Sequence, residues 1–212
     1  MSSSLLKIRP GVPSDIRCMC DTFLDAFSGN LIGRTFFPRA SDSAHKFWIN
    51  ALNEEIHDPN ARFIVVEDTS TSPPTFIAFA KWIIPLPSGE PQPGLPEDWP
   101  EDGDPALAKV FFKKLADMHV EIMADRPHWY LELIVTKQEY QGRGAGGLLM
   151  RWGVDRADEE GVECYLDATP EGKSLYEKFG FRDEVTWEFF DETYLHSFMV
   201  RKVKETNKYG PK

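Results

Sequence analysis

The sequence predicts one α/β domain of mixed topology, and three observations carry that prediction. Short runs rich in β-branched and aromatic residues alternate with longer stretches whose apolar residues recur every three or four positions. A glycine-rich turn around Gln141 to Gly147 joins one such run to one such stretch. No internal repeat and no linker divides the chain into two cores. At 212 residues, 42% hydrophobic and 13% aromatic, the chain can bury a sizeable core, which rules out general disorder.

The elements follow in order. Leu5 to Arg9 reads as a first strand, ended by Pro10-Gly11. Pro13, Ser14 and Asp15 start a helix carrying Ile16, Met19, Cys20, Phe23 and Phe27, and Ser28-Gly29-Asn30 closes it. A second helix is expected from Asp42 to His57, before Asp58-Pro59-Asn60. Arg62 to Glu67 and Phe76 to Ile84 read as a hairpin with a loose, turn-rich loop. Pro85 to Pro105 carries seven prolines and a string of acids, so it is a long loop, either a functional lid or a surface insertion. Ala106 to Asp125 is a helix with Phe111, Phe112, Leu115, Met118, Val120 and Met123 as apolar positions. Trp129 to Thr136 is a strand, Gly142 to Gly161 a helix, Glu163 to Ala168 a strand and Pro170 to Phe179 a short helix. Phe181 to Phe190 and Tyr194 to Lys202 are the last strands, which puts the domain at 1–202 and leaves 203–212 as a polar tail.

Charge and cysteine usage exclude several functions. The net charge is −10, from 24 Lys plus Arg against 34 Asp plus Glu. A nucleic-acid or anionic-membrane binder needs a basic face, so neither partner is expected. Cys18, Cys20 and Cys164 are too few for a disulfide framework, and the C-x-C pair has no second pair for zinc. They read as buried free thiols in a reducing compartment. MSSSLLKIRPG has no signal-peptide core and no run reaches the roughly 20 apolar residues of a membrane span, so a cytoplasmic protein is expected.

The glycine turn carries the chemistry. Glycines let backbone approach a ligand, and the first amides of the following helix lack internal partners. With the helix dipole they form an anion site suited to a pyrophosphate, to which Arg143 adds a charge. A Walker loop is excluded because no Lys-Ser/Thr follows the glycines. Gly142, Gly144 and Gly147 do match the G-x-G-x-x-G spacing of a dinucleotide site, although the unit sits late in the chain and the next strand reads as lacking βαβ support. A nicotinamide-dependent reductase is therefore a rival.

Gln141-Gly142-Arg143-Gly144-Ala145-Gly146 resembles the [QR]-x-x-G-x-[GA] signature of the GNAT superfamily of N-acetyltransferases. Leu133-Ile134-Val135-Thr136 resembles the strand that family uses to hold acetyl-CoA, and Leu175 to Phe181 (LYEKFGF) resembles its L-Y-[EK]-K-x-G-F motif. The motifs cover 131–181, and the general layout agrees from about Leu5 to Lys202. The resemblance implies a GNAT-like α/β fold: a mixed, mostly antiparallel sheet of about seven strands, flanked by helices and splayed at the cofactor strands. It implies acetyl-CoA as co-substrate, with pantetheine on Leu133, Ile134 and Val135 and pyrophosphate on Gln141, Gly142, Arg143, Gly144, Ala145 and Gly146. It also implies direct attack by an amine, which agrees with the lack of a Ser-His-Asp or Cys-His pattern.

Direct aminolysis needs a base for the amine and a proton for the departing thiolate. Tyr176 occupies the family position of the thiolate partner. Glu132, a carboxylate inside an apolar strand, is the first candidate base, and Asp167 is the second. His119 and His128 are weaker and read as surface or strand-edge residues. Thr169 stands where relatives carry Asn and Gly172 where they carry Ala, which puts the cofactor role of Thr169 in doubt. Phe36, Phe37, Trp48, Trp82, Trp99, Trp187, Phe189 and Phe190 are available to a pocket, though most are expected in the core. Glu97, Asp98, Glu101, Asp102 and Asp104 could attract a cation or simply solvate their loop. The expected acceptor is a small-molecule amine, handled by a monomer or homodimer. A peptide amine, or a non-catalytic acyl-CoA-binding module, is the alternative.

Overall fold

Every run read as extended pairs into one sheet in the computed structural model, which describes residues 5–86, 94–190 and 194–204. Strand β1 is Leu6–Pro10, followed by helices α1 (Ile16–Phe27), α2 (Leu31–Phe36) and α3 (Asp42–Glu55). The hairpin is β2 (Ala61–Asp68) and β3 (Thr75–Ile83). Helix α4 (Pro105–Met123), strand β4 (His128–Thr136), helix α5 (Ala145–Glu160) and strand β5 (Glu163–Ala168) come next. Helix α6 (Lys173–Lys178) and strands β6 (Arg182–Glu188) and β7 (Leu195–Arg201) complete the order.

The seven strands lie in the order β1-β2-β3-β4-β5-β7-β6. All neighbours are antiparallel except β4 and β5, which run parallel with α5 as their crossover. The following strand thus does complete a βαβ unit, contrary to the sequence reading: β5 is short, and its parallel pairing is invisible in one dimension.

Strand periodicity assigns side chains to two layers. Trp82, Trp129, Leu131, Leu166 and Met199 join α5's Leu149, Met150 and Val154 on one face. Phe63, Val65, Phe79 and Val135 join the apolar sides of α1 to α4 on the other. Tyr165, Phe198 and Val200 meet α4's Met118 and Met123 on that second face. Gly153 lets α5 lie close to the sheet, since a Cβ there would sit 2.3 Å from the Trp82 ring. Trp82 Nε1 then donates to Leu149 O at 3.3 Å.

One irregularity matters for the site. Lys81 pairs with Leu133 but Trp82 pairs with Leu131, so Glu132 is an extra residue on β4, a β-bulge. Leu133 and Val135 pack on the α1–α4 face together with the side chain of Glu132.

The structure amends several boundaries. Helix α2 was not foreseen; Asn30 caps it, its side chain accepting from Gly33 N at 2.9 Å. Helix α5 begins at Ala145 rather than Gly142, because Gly142 and Gly144 take positive φ in the turn. Val120, one of the apolar positions of α4, is 57% exposed. Cys18 is exposed on α1 rather than buried, while Cys20 and Cys164 are buried as expected, their thiols pushed up to about 12 by desolvation. His119 is buried rather than at the surface.

Residues 87–93 of the proline-rich loop lie outside the described residues; its last part, 99–104, docks onto the helices. Trp99 stacks between Phe47 and Phe112, at 5.5 and 4.9 Å. Asp104 caps α4 by accepting from Leu107 N at 2.9 Å, and its own N–H donates to Thr35 O at 2.8 Å. Asp102 accepts from the hydroxyls of Ser41 and Ser43 at 2.6 and 3.0 Å. These two acids are engaged in local structure.

Candidate active site

The site begins where β4 and β5 part. They pair only from His128–Glu163 to Leu131–Leu166. Beyond that, β4 continues to Thr136 with β3 as its ladder partner. The edge of Leu133, Ile134 and Val135 facing β5 therefore has backbone groups outside any ladder among the described residues.

The turn after β4 leads into α5 at the same end of the sheet. Gln141 reaches back to donate to Thr136 O at 3.2 Å. Gly142 has φ 75° and Gly144, the N-cap, has φ 97°, conformations that favour glycine over residues with a Cβ. No side chain caps α5, so its first amides remain available as donors at the positive end of the helix dipole. The Arg143 guanidinium lies 4.9 Å from the Tyr140 ring centroid, at the exposed rim of this turn. A Cβ on Gly146 would meet Leu175 Cδ2 at 3.1 Å, so α6 is seated against the start of α5. The donors, the open strand edge and α6 thus border one opening. That arrangement fits a ligand with a pyrophosphate and an amide-bearing arm, such as an acyl-CoA.

Two carboxylates stand at this opening, on the α1–α4 face. Glu132 Oε1 accepts from Lys81 Nζ at 2.8 Å, and Glu55 Oε2 lies 3.0 Å from the same nitrogen. The Lys81 side chain is 6% exposed and that of Glu132 is 36% exposed. Burial pushes the Glu55 carboxyl upward against the attraction of Lys81. Asp167 accepts from Tyr165 Oη at 2.8 Å and from Tyr130 Oη at 3.0 Å. Desolvation pushes its carboxyl up to about 7, opposed by those two hydrogen bonds and aided by the charge of Glu132.

Tyr176 is buried near the same centre. Desolvation, and then the charge of Asp167, raises its phenol above the usual range, so it remains a neutral donor. Its hydroxyl faces Gly172, where a Cβ would stand 2.9 Å away. The alanine expected at that position would crowd this tyrosine. Thr169 Oγ1 accepts from Gly172 N at 3.4 Å, bracing the turn before α6.

The structure therefore brings Asp167 into electrostatic reach of both Glu132 and Tyr176. It places His119 and His128 in a separate packed pair. His128 Nδ1 contacts Arg126 O at 2.7 Å and His128 Nε2 contacts His119 Nε2 at 2.7 Å. A carbonyl can only accept, so Nδ1 carries the His128 proton and His119 donates to Nε2. Burial lowers both, His119 to about 3, and keeps them neutral. Sequence reasoning missed Lys81, Glu55, Tyr130 and Tyr165. A lysine amid the apolar run FIAFAKWII was the one visible signal.

Comparison with known proteins follows the same outline. A histone acetyltransferase HPA2 and related acetyltransferase from Corynebacterium glutamicum superposes with TM-score 0.62 at 19% identity, covering 93% of this chain and 96% of that one. The PaiA N-acetyltransferase from Thermoplasma acidophilum, solved with coenzyme A, gives 0.53 at 17% identity, covering 93% and 98%. A spermidine N-acetyltransferase SpeG variant from Vibrio cholerae gives 0.53 at 17% identity, covering 93% and 94%. The family model for the acetyltransferase (GNAT) family matches residues 29–181, which includes the parting strands, the glycine turn and α6. With well over half its length matched, the chain belongs to the GNAT family of acetyltransferases and is an acyltransferase.

Proposed function

We propose that the protein transfers acetyl from acetyl-CoA to the primary amine of a small molecule by direct aminolysis. The observation that carries this reading is the meeting of an open β4 edge, an uncapped glycine-led helix and a carboxylate pair at one opening. The coenzyme A held by the Thermoplasma neighbour supports the choice of an acyl-CoA. The spermidine enzyme among the neighbours supports an amine acceptor.

Acetyl-CoA supplies an acyl group already activated as a thioester. Leu133, Ile134 and Val135 offer backbone partners to its arm. Gln141, Gly142, Arg143, Gly144, Ala145 and Gly146 receive its pyrophosphate, and Thr169 braces the wall opposite. The amine's C–N bond forms as the C–S bond breaks. Glu132 accepts the proton released by nitrogen, directly or through water, and Tyr176 donates to the departing sulfur. Glu132 stands first because it is open at the bulge, whereas both oxygens of Asp167 are held by tyrosines. One observation favours Asp167 as a second reading: its carboxyl near 7 matches the work of a base at neutral pH.

Thiol release from acetyl-CoA across an amine panel tests the function. Turnover with a small amine is the expected result, and CoA binding without turnover on any amine would instead identify a sensor module. Thermal-shift titration with CoA, NAD and ATP separates the reductase rival, since only CoA should stabilise the fold.

A further inference from the structure

The α1–α4 face carries a continuous set of aromatic rings that runs up to the opening. Phe111 packs against Trp187 at 5.7 Å and Phe189 at 5.0 Å, and Phe190 packs against Tyr194 at 5.4 Å. Trp187, Phe189 and Phe190 are only half-buried, so part of each ring is open to a ligand. Leu133 of the open strand edge belongs to the same cluster.

Two polar side chains in this wall have no partner. Tyr194 is 3% exposed and its hydroxyl is unpaired; His196 is 2% exposed and both its ring nitrogens are unpaired. A buried polar atom left unpaired is destabilising, and three on two neighbouring residues is a concentration that packing alone does not explain. The two rings lie 6.2 Å apart, nearly parallel. His196 also meets Phe111 at 5.3 Å and Phe198 at 5.6 Å, and Phe198 pairs in register with Asp167. His196 is therefore one side-chain step beyond the end of β5 on the face that carries Asp167. Tyr194 feels the charge of Glu171, in the turn between β5 and α6. Both unpaired residues thus border the end of the sheet at which acetyl transfer is proposed.

We propose that the acceptor is an arylalkyl primary amine bearing a ring hydroxyl, its ring against Trp187, Phe189 and Phe111 and its hydroxyl paired with Tyr194 and His196. The inference rests on the acetyl-transfer reading and names its substrate class. The chemistry of the wall selects this class. Burial keeps His196 neutral, its pKa pushed down to about 4, so one ring nitrogen donates and the other accepts. A phenolic hydroxyl both donates and accepts, so it can pair with the Tyr194 hydroxyl and with one His196 nitrogen, whichever of the two carries the proton. A simple alkyl amine has no second polar group to offer there, and a polyamine would bring a charged ammonium into an apolar wall.

The test compares kcat/KM for thiol release with tyramine, phenethylamine, hexylamine and spermidine. Tyramine should exceed phenethylamine by about tenfold or more, because a site built around a hydroxyl rejects the analogue lacking it. Phenethylamine should in turn exceed hexylamine. Tyr194→Phe keeps the ring and removes the hydroxyl, and should collapse the tyramine-to-phenethylamine ratio toward one. Equal rates for tyramine and phenethylamine, a preference for spermidine, or an unchanged ratio in Tyr194→Phe would each overturn the proposal. Calorimetric titration of tyramine into the CoA-saturated protein separates the two readings. Tyramine binding that outranks phenethylamine, without turnover of any amine, supports the pocket and counts against acetyl transfer. Turnover of other amines with no tyramine binding overturns the pocket and leaves acetyl transfer standing.

Discussion

Glu132 and Asp167 are similar acids placed in different surroundings. Glu132 faces a lysine shared with Glu55, and Asp167 faces two phenols. If Glu132 is the base, Glu132→Gln suppresses turnover and Asp167→Asn leaves the shape of the pH–rate profile. If Asp167 is the base, the rising limb near pH 7 disappears in Asp167→Asn. The sign follows from the raised carboxyl: it is protonated and inactive below about 7, and gains base strength as pH rises through that value. The same proton is held more tightly in the folded chain than in the unfolded one. Stability therefore falls as pH rises toward 7, and Asp167→Asn should flatten that slope in denaturation measured from pH 4 to 7. Tyr176→Phe should lower kcat by about tenfold or more while acetyl-CoA KM holds, measured by steady-state kinetics. Lys81 was not legible as a partner of Glu132, because the contact depends on a bulge that no local pattern announces. Lys81→Met should cost about 3 kcal/mol in chemical denaturation, since it leaves Glu55 and Glu132 facing each other without a cation. Acidification should recover part of that loss, because the raised Glu55 carboxyl takes up its proton early.

At the scale of elements, alternation and glycine chemistry were legible while parallel pairing and register were not. The seven strands follow from runs such as RFIVVE and WYLELIVT, whose residue types suit a pleated, half-buried surface. Helix α2 escaped because LIGRTF is too short to show a period and contains Gly33; Asn30, its cap, was read as the end of α1 instead. The turn at Gly142 to Gly144 was legible because it combines a strand, positive-φ residues and a helix start in one stretch. Gly144→Asp tests that element. It puts a side chain on a residue at φ 97° and a negative charge at the helix start. CoA affinity measured by calorimetry should fall at least about a hundredfold; unchanged affinity would remove the pyrophosphate assignment. Tyr194 and His196 were not legible as a pair, because their lack of partners is a property of the packed wall.

The whole molecule sets the long-range field. A net charge of −10 repels a polyanionic ligand at a distance, and the local donors of α5 and Arg143 oppose it. Screening should therefore speed encounter. The association rate of CoA, measured by stopped flow, is expected to rise with ionic strength rather than fall, by a few-fold between low salt and about 0.3 M. A falling rate would mean that the local cationic rim outweighs the global charge. Among the described residues no helix is long and apolar enough to cross a membrane.

The extra residue in β4 carries a consequence for how such chemistry arises. A strand alternates between two faces, so a one-residue insertion would ordinarily turn everything after it inside out. The bulge absorbs the insertion: Leu131 and Ile134 stay with α5, and Leu133 and Val135 stay with the opposite layer. Glu132 is thus supernumerary to the packing. A shortened chain lacking only this residue should keep both layers and lose a single carboxylate. A finished sheet can in this way gain or shed an acid through one codon, without its core being renegotiated.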